Sequence, residues 1–116
     1  MRIHNLYADA DGETHFRDIE VDWAEKAPWG KLSKRLAATS IIFAEATADY
    51  HYESHPAPCR QYVITLDDGI EVTTSDGEHR VFSAGEVVLV EDTSGKGHVT
   101  KMFGGKPRNA VFIPVD

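Results

Sequence analysis

The stretch "EDTSGKGHVTK", Glu91 to Lys101, decides between two folds. Read as a phosphate-cradling loop, Gly95-Lys96 would open a helix in an α/β protein. Read as a tight turn, Gly95 and Gly97 supply positive φ and His98 begins a strand. Spacing settles the choice. A Walker A loop has glycine five residues before its Gly-Lys pair and Ser or Thr after the lysine. Here Val90 and Gly97 stand at those places. The following "GHVTKMF" has β-branched Val99 and Thr100 and no helix cap. The turn reading stands, and its functional residue is His98 rather than Lys96.

Working outward, turn signals recur at short intervals. They are Asp11-Gly12, Pro28-Trp29-Gly30, Pro56-Ala57-Pro58, Asp68-Gly69, Asp76-Gly77, Ala84-Gly85 and Gly104-Gly105. Between them lie short apolar or alternating runs. "RQYVITL" (60–66) is rich in β-branched and aromatic residues, and "GIEVTTSDGEHRVF" (69–82) places two alternating runs around an Asp-Gly turn, a hairpin signature. "EVVLVED" (86–92) reads as a strand buried on both faces. "HVTKMF" and "NAVFIPV" complete the set. The pattern predicts an all-β domain, an antiparallel sandwich or barrel. The single helix candidate, "WGKLSKRLA", is weakened by Gly30 and Ser33. Residues 1–38 are expected to form an N-terminal arm beginning with a strand near "HFRDIEV", and 39–115 the barrel, within one domain spanning 1–116. Val72, Val87 and Leu89 are expected in the core.

Bulk properties narrow the function. A chain of 116 residues, 41% apolar and 27% charged, fits one globular domain. The net charge of −7 and the lack of a Lys/Arg block argue against a nucleic-acid partner. No run approaches the ~20 apolar residues of a membrane span, and "MRIHNLYADADGETH" has no signal-type apolar core. One cysteine, Cys59, precludes a disulfide within the chain, so a cytoplasmic location is expected.

Two segments resemble a small single-domain cupin, over roughly Thr39 to Val115. "HYESHPAPCRQYVITLDDGIEV" is similar to cupin motif one, G-x5-H-x-H-x3,4-E-x6-G. "AGEVVLVEDTSGKGHVTK" is similar to motif two, G-x5-P-x-G-x2-H-x3-N. The local pattern "HPAPxRQ" followed by "GKGH" resembles an uncharacterised branch of that family. The resemblance implies an antiparallel jelly-roll β-barrel with a site at its mouth. It also implies a divalent metal (Fe, Mn, Ni or Zn), a homodimer and a small-molecule ligand.

Carried over residue by residue, His55 matches a motif-one histidine and His98 the motif-two histidine. Gln61 occupies the motif-one glutamate position. Glu53 stands two residues before His55, where the family has histidine, and His51 lies a further two back. Motif two lacks its proline, near Asp92 or Thr93, and has Met102 in place of its asparagine. The metal set implied is therefore His55, His98, Glu53 and Gln61, two imidazoles and a carboxylate with one amide. Strand alternation puts Glu53 and His55 on one face only if the chain stays extended through Ser54, which Pro56 favours. His55, Gln61 and His98 are the catalytic candidates, expected to face the cavity with Val63, Thr65, Thr100 and Met102.

The resemblance implies an enzyme acting on a small carbonyl- or carboxylate-bearing molecule, of isomerase, lyase or oxygenase type. A metal would act as Lewis acid. Without one, His55 or His98 would serve as general acid or base. The alternative is a non-catalytic module that binds a small molecule in the same pocket.

Overall fold

The computed structural model describes residues 1–49 and 51–116. Among these there are twelve strands and no helix. The main sheet has six strands: β1 (Arg2–Ala8), β2 (Thr14–Glu20), β5 (Ile42–Ala46), β7 (Gln61–Thr65), β10 (Val87–Val90) and β12 (Arg108–Pro114). Their order is β2-β1-β10-β7-β12-β5. A second sheet runs β6 (His51–His55), β11 (His98–Met102), β8 (Ile70–Thr74), β9 (His79–Phe82). A third has only β3 (Glu25–Ala27) and β4 (Gly30–Leu32). The protein is all-β, as its turn spacing predicts. Among the described residues its sheets do not close into a barrel. Pairing is antiparallel except between β1 and β10, which run parallel.

The β8–β9 hairpin shows why the turns fall where they do. Asp76 accepts hydrogen bonds from the Thr74 hydroxyl at 2.6 Å and the Glu78 amide at 3.0 Å. Gly77 takes the positive φ, 93°, that closes the turn. The two larger sheets share one core. Leu6, Phe16, Val88 and Val90 come from the main sheet, and Ile70, Val72 and Phe82 from the second. Phe82 is at its centre, edge-on to His4 and Phe16. Truncating such a ring to alanine typically costs about 3–5 kcal/mol.

Three expectations need correction. Residues 1–38 are not one arm: β1 lies inside the main sheet, between β2 and β10. Two of its three buried positions, His4 and Asn5, are polar, which hid its burial from a hydrophobicity reading. Asn5 is fully buried, donating to the Leu89 carbonyl and Glu91 and accepting from Arg17. His4 is buried between Arg80 and Glu86. Only the stretch from about Val21 to Ile41 lies outside the two larger sheets. The helix candidate is instead the β4 strand and a continuation without regular structure, with Gly30 opening the strand. Finally, Val87 is only half-buried, on the outer face of β10; Leu89 is buried as expected, but beneath Leu36 and Ala37 on that face rather than with Val88 and Val90. A four-residue apolar run carries no alternation to tell its faces apart.

Candidate functional site

The "SGKGH" turn is held from two sides. The Lys96 amide donates to the Gly12 carbonyl at 2.9 Å, and the Thr14 hydroxyl donates to the Gly97 carbonyl at 2.7 Å. From the other side, the Ser54 hydroxyl donates to the Lys96 carbonyl at 2.6 Å. Gly97 has φ 74°, and its α-carbon lies so near the end of β6 that a Cβ would stand 2.2 Å from the His55 carbonyl. Only glycine fits both the backbone angle and this approach. The turn therefore packs its backbone onto the His55–Pro56 peptide. It is a structural clasp that delivers His98 directly opposite His55.

The β6–β11 register pairs His98 with His55, with Thr74 on the other side of His98. The two imidazole centroids are 4.9 Å apart. His98 is buried, and its Nδ1 lies 2.6 Å from Asp92 Oδ2. A carboxylate only accepts, so Nδ1 carries a proton, and in the neutral ring Nε2 carries the lone pair. Asp92 is fully buried, its backbone carbonyl accepts from the Ala57 amide, and its Oδ1 has no partner among the described residues. His55 is oriented in the same sense. Its Nδ1 donates to the Glu53 carbonyl at 2.9 Å, and its ring lies 3.7 Å, centroid to centroid, from Tyr52. Among the described residues, both rings thus make their hydrogen bonds through Nδ1. A held Nδ1–H with a bare Nε2 is the state of a general base, and also of a metal-ligating histidine.

Of the residues singled out from sequence, the structure brings His55 and His98 together. Glu53 contributes its backbone carbonyl; its carboxylate is exposed, 3.8 Å from His51 Nε2. Gln61 is buried at the start of β7, on the main sheet beside Val90 and Pro114, with Cys59 Sγ 3.8 Å from its Oε1. Thr65 is buried, and Val63 and Met102 pack against the core. Asp92, bonded to His98, is the candidate residue that sequence reasoning passed over as a misplaced proline. Its signal was present: a carboxylate at the end of an apolar strand, one glycine turn before a histidine. Two grooves, of about 220 and 260 Å³, lie elsewhere; neither is lined by His55, Gln61 or His98.

The fit to a metal is partial. Two imidazoles offer two ligand atoms, but the described residues contain no group of three or more His, Cys, Asp or Glu side chains placed to hold an ion. Glu53 would have to leave solvent, and Gln61 belongs to the opposite sheet.

A second carboxylate-bound histidine lies at the edge of the same turn cluster. His15 Nε2 is 2.7 Å from Asp9 and its Nδ1 2.8 Å from Asp76. The Asp9 bond, then the Asp76 bond, raise its pKa above the ordinary 6.5. Asp9 is held below 3.8 chiefly by that same bond, and Asp76 chiefly by the Thr74 hydroxyl.

No family model matches this sequence, and no curated protein matches it either.

Proposed function

We propose that this chain is a small cupin-like jelly-roll protein whose strand ends bind a small carbonyl- or carboxylate-bearing molecule beside His55 and His98. In this reading it moves a proton of that molecule at His98 Nε2, in isomerase- or lyase-type chemistry. The observation that carries the reading is the fully buried Asp92 bonded to His98 Nδ1, which leaves the other ring nitrogen with a lone pair. A proton on the carbon beside the carbonyl passes to Nε2. The imidazolium so formed has the Asp92 carboxylate against it, which lowers the cost of its charge. The proton then returns to a neighbouring carbon, giving an isomer, or goes to a departing oxygen, giving elimination. His55 supplies a second nitrogen across the strand pair, an acceptor that can take a hydrogen bond from a substrate hydroxyl.

The metal version of this reading, with Fe, Mn, Ni or Zn on His55 and His98, requires Glu53 or Gln61 to complete the ligand set. No step here depends on it.

The test is proton exchange. A panel of small 2-oxo acids and hydroxy acids is incubated with the protein in deuterated water and followed by proton NMR. Exchange beside the carbonyl is expected with the wild type, and a loss of roughly 10²–10⁴-fold in His98→Gln, the usual contribution of a general base. Shifts of the His98 ring signals without exchange favour the non-catalytic binding module. Neither exchange nor shifts would overturn both. Stoichiometric metal in protein purified without chelator, lost in His55→Ala and in His98→Ala alike, would put the metal version first.

A further inference from the structure

Alternation between β6 and β11 is broken at one place. His98 pairs with His55 and Thr100 with Tyr52, so two steps on β11 face three on β6. The extra residue is a β-bulge in β6, at Glu53 and Ser54. A regular strand puts residues i and i+2 on one face, which would set Glu53 beside His55. The bulge reverses that. Tyr52, not Glu53, comes to the face that carries His55, and the Glu53 side chain is turned out, 92% exposed. Bulges recur beside active sites because they re-aim a side chain.

The register shows which face this is. Residues paired across an antiparallel ladder share a face. Thr100 also pairs with Val72, and Met102 with Ile70, and Val72 and Ile70 are core residues. The core-facing side of the second sheet therefore has two adjacent rows, Thr74–His98–His55 and Val72–Thr100–Tyr52. Each row runs from core to solvent. Thr74, His98 and Val72 are buried, His55 and Thr100 are half-buried, and Tyr52 is 45% exposed. This face thus opens at the β6 edge, with an aromatic ring at the opening. The Tyr52 ring lies 3.7 Å from that of His55, centroid to centroid, and is tilted 47° to it. His55 and His98 are tilted by 47° as well. The three rings form one continuous wall, with the half-buried Thr100 beside it.

We infer that Tyr52 is a specificity residue of this site, and that the molecule bound there carries an aromatic ring one carbon away from its carbonyl, as in an aryl 2-oxo acid. The inference rests on the proposed function for the place of the carbonyl, beside His98 Nε2. The two rows stand about 7 Å apart along β11, two residues of strand rise. A ring laid against Tyr52 with a one-carbon link to its carbonyl spans that distance. The ring gains an aromatic contact that an aliphatic acid cannot make. The Thr100 hydroxyl, between the rows, is a donor for a substrate oxygen.

Phenylpyruvate and pyruvate are the probes. Binding is read from histidine ring-proton shifts on titration, and proton exchange is followed separately in deuterated water, less the exchange each acid undergoes without protein. Phenylpyruvate should bind about fivefold or more tighter than pyruvate. Tyr52→Leu, checked for folding by circular dichroism, should weaken phenylpyruvate to the level of pyruvate and leave pyruvate unchanged. Tyr52→Phe should keep the preference. A preference lost in Tyr52→Leu, with no exchange catalysed by the wild type, would support Tyr52 and overturn the proton transfer instead. Catalysed exchange with no preference for phenylpyruvate, or a preference indifferent to Tyr52→Leu, would overturn the inference and leave the proton transfer standing. Equal weakening of both acids in Tyr52→Leu, or binding of neither acid to the wild type, would overturn the inference as well.

Discussion

His98 and His15 both lie against aspartates, His98 at 2.6 Å from Asp92 and His15 at 2.7 and 2.8 Å from Asp9 and Asp76. What separates them is the second nitrogen. His15 spends both on carboxylates, at the surface, and ties the β1–β2 turn to the β8–β9 turn. It has no lone pair left for a substrate. His98 is buried, spends one nitrogen on a buried carboxylate and keeps the other. Counting committed nitrogens, rather than counting histidines near acids, distinguishes an architectural staple from a chemical site.

The comparison can be broken most severely from the Gly97 turn, which sets the His98 side and leaves the His15 side alone. Gly97→Ala must leave a positive φ and push back the His55–Pro56 peptide. It is expected to cost about 2–4 kcal/mol in urea unfolding and to disperse the His55 ring signals, while those of His15 stay in place. Unchanged stability would show that the clasp does not set the His55–His98 spacing. Next comes Asp92→Ala. Removing the partner of a buried donor costs about 1–3 kcal/mol. The prediction adds a tautomer change: His98 should pass from a single Nδ1–H form to a mixture, measurable by ring nitrogen shifts.

The smallest effect sharpens the His15 side. Its folded-state pKa is raised, so its stabilisation is complete below about pH 6.5 and fades as pH rises through the higher folded value. Asp9 and Asp76 are lowered, so their share is complete above about pH 3.8 and is lost as pH falls through their folded values. The melting-temperature difference between wild type and His15→Gln should therefore be greatest between those two pH values and shrink on either side. A difference that grows towards pH 9 would contradict this assignment. Proton exchange by His98 should be the same in His15→Gln as in the wild type.

Much of this was legible in the residues. Asp-Gly and Ala-Gly turns at short spacing gave away the strands, because glycine and aspartate are needed where the chain reverses. The Gly-Lys-Gly turn before His98, and the proline after His55, marked the two strand ends that meet. Four things were not legible. β1 looked peripheral because two of its three buried positions are His4 and Asn5, whose burial depends on partners more than ten residues distant. The faces of "VVLV" could not be told apart without neighbours. Asp92 looked like a departure from a pattern, since its value lies in a contact that forms only when the turn folds. Glu53 was judged by its side chain, yet it is the carbonyl that holds His55.

The account rests on the protonation geometry of one ring. Long-range proton–nitrogen NMR on histidine-labelled protein at neutral pH reports it directly. The prediction is that His98 and His55 both show a protonated Nδ1 and a bare Nε2, and that Asp92→Asn changes His98 but not His55. A His98 ring protonated at Nε2, or one indifferent to Asp92→Asn, would contradict it.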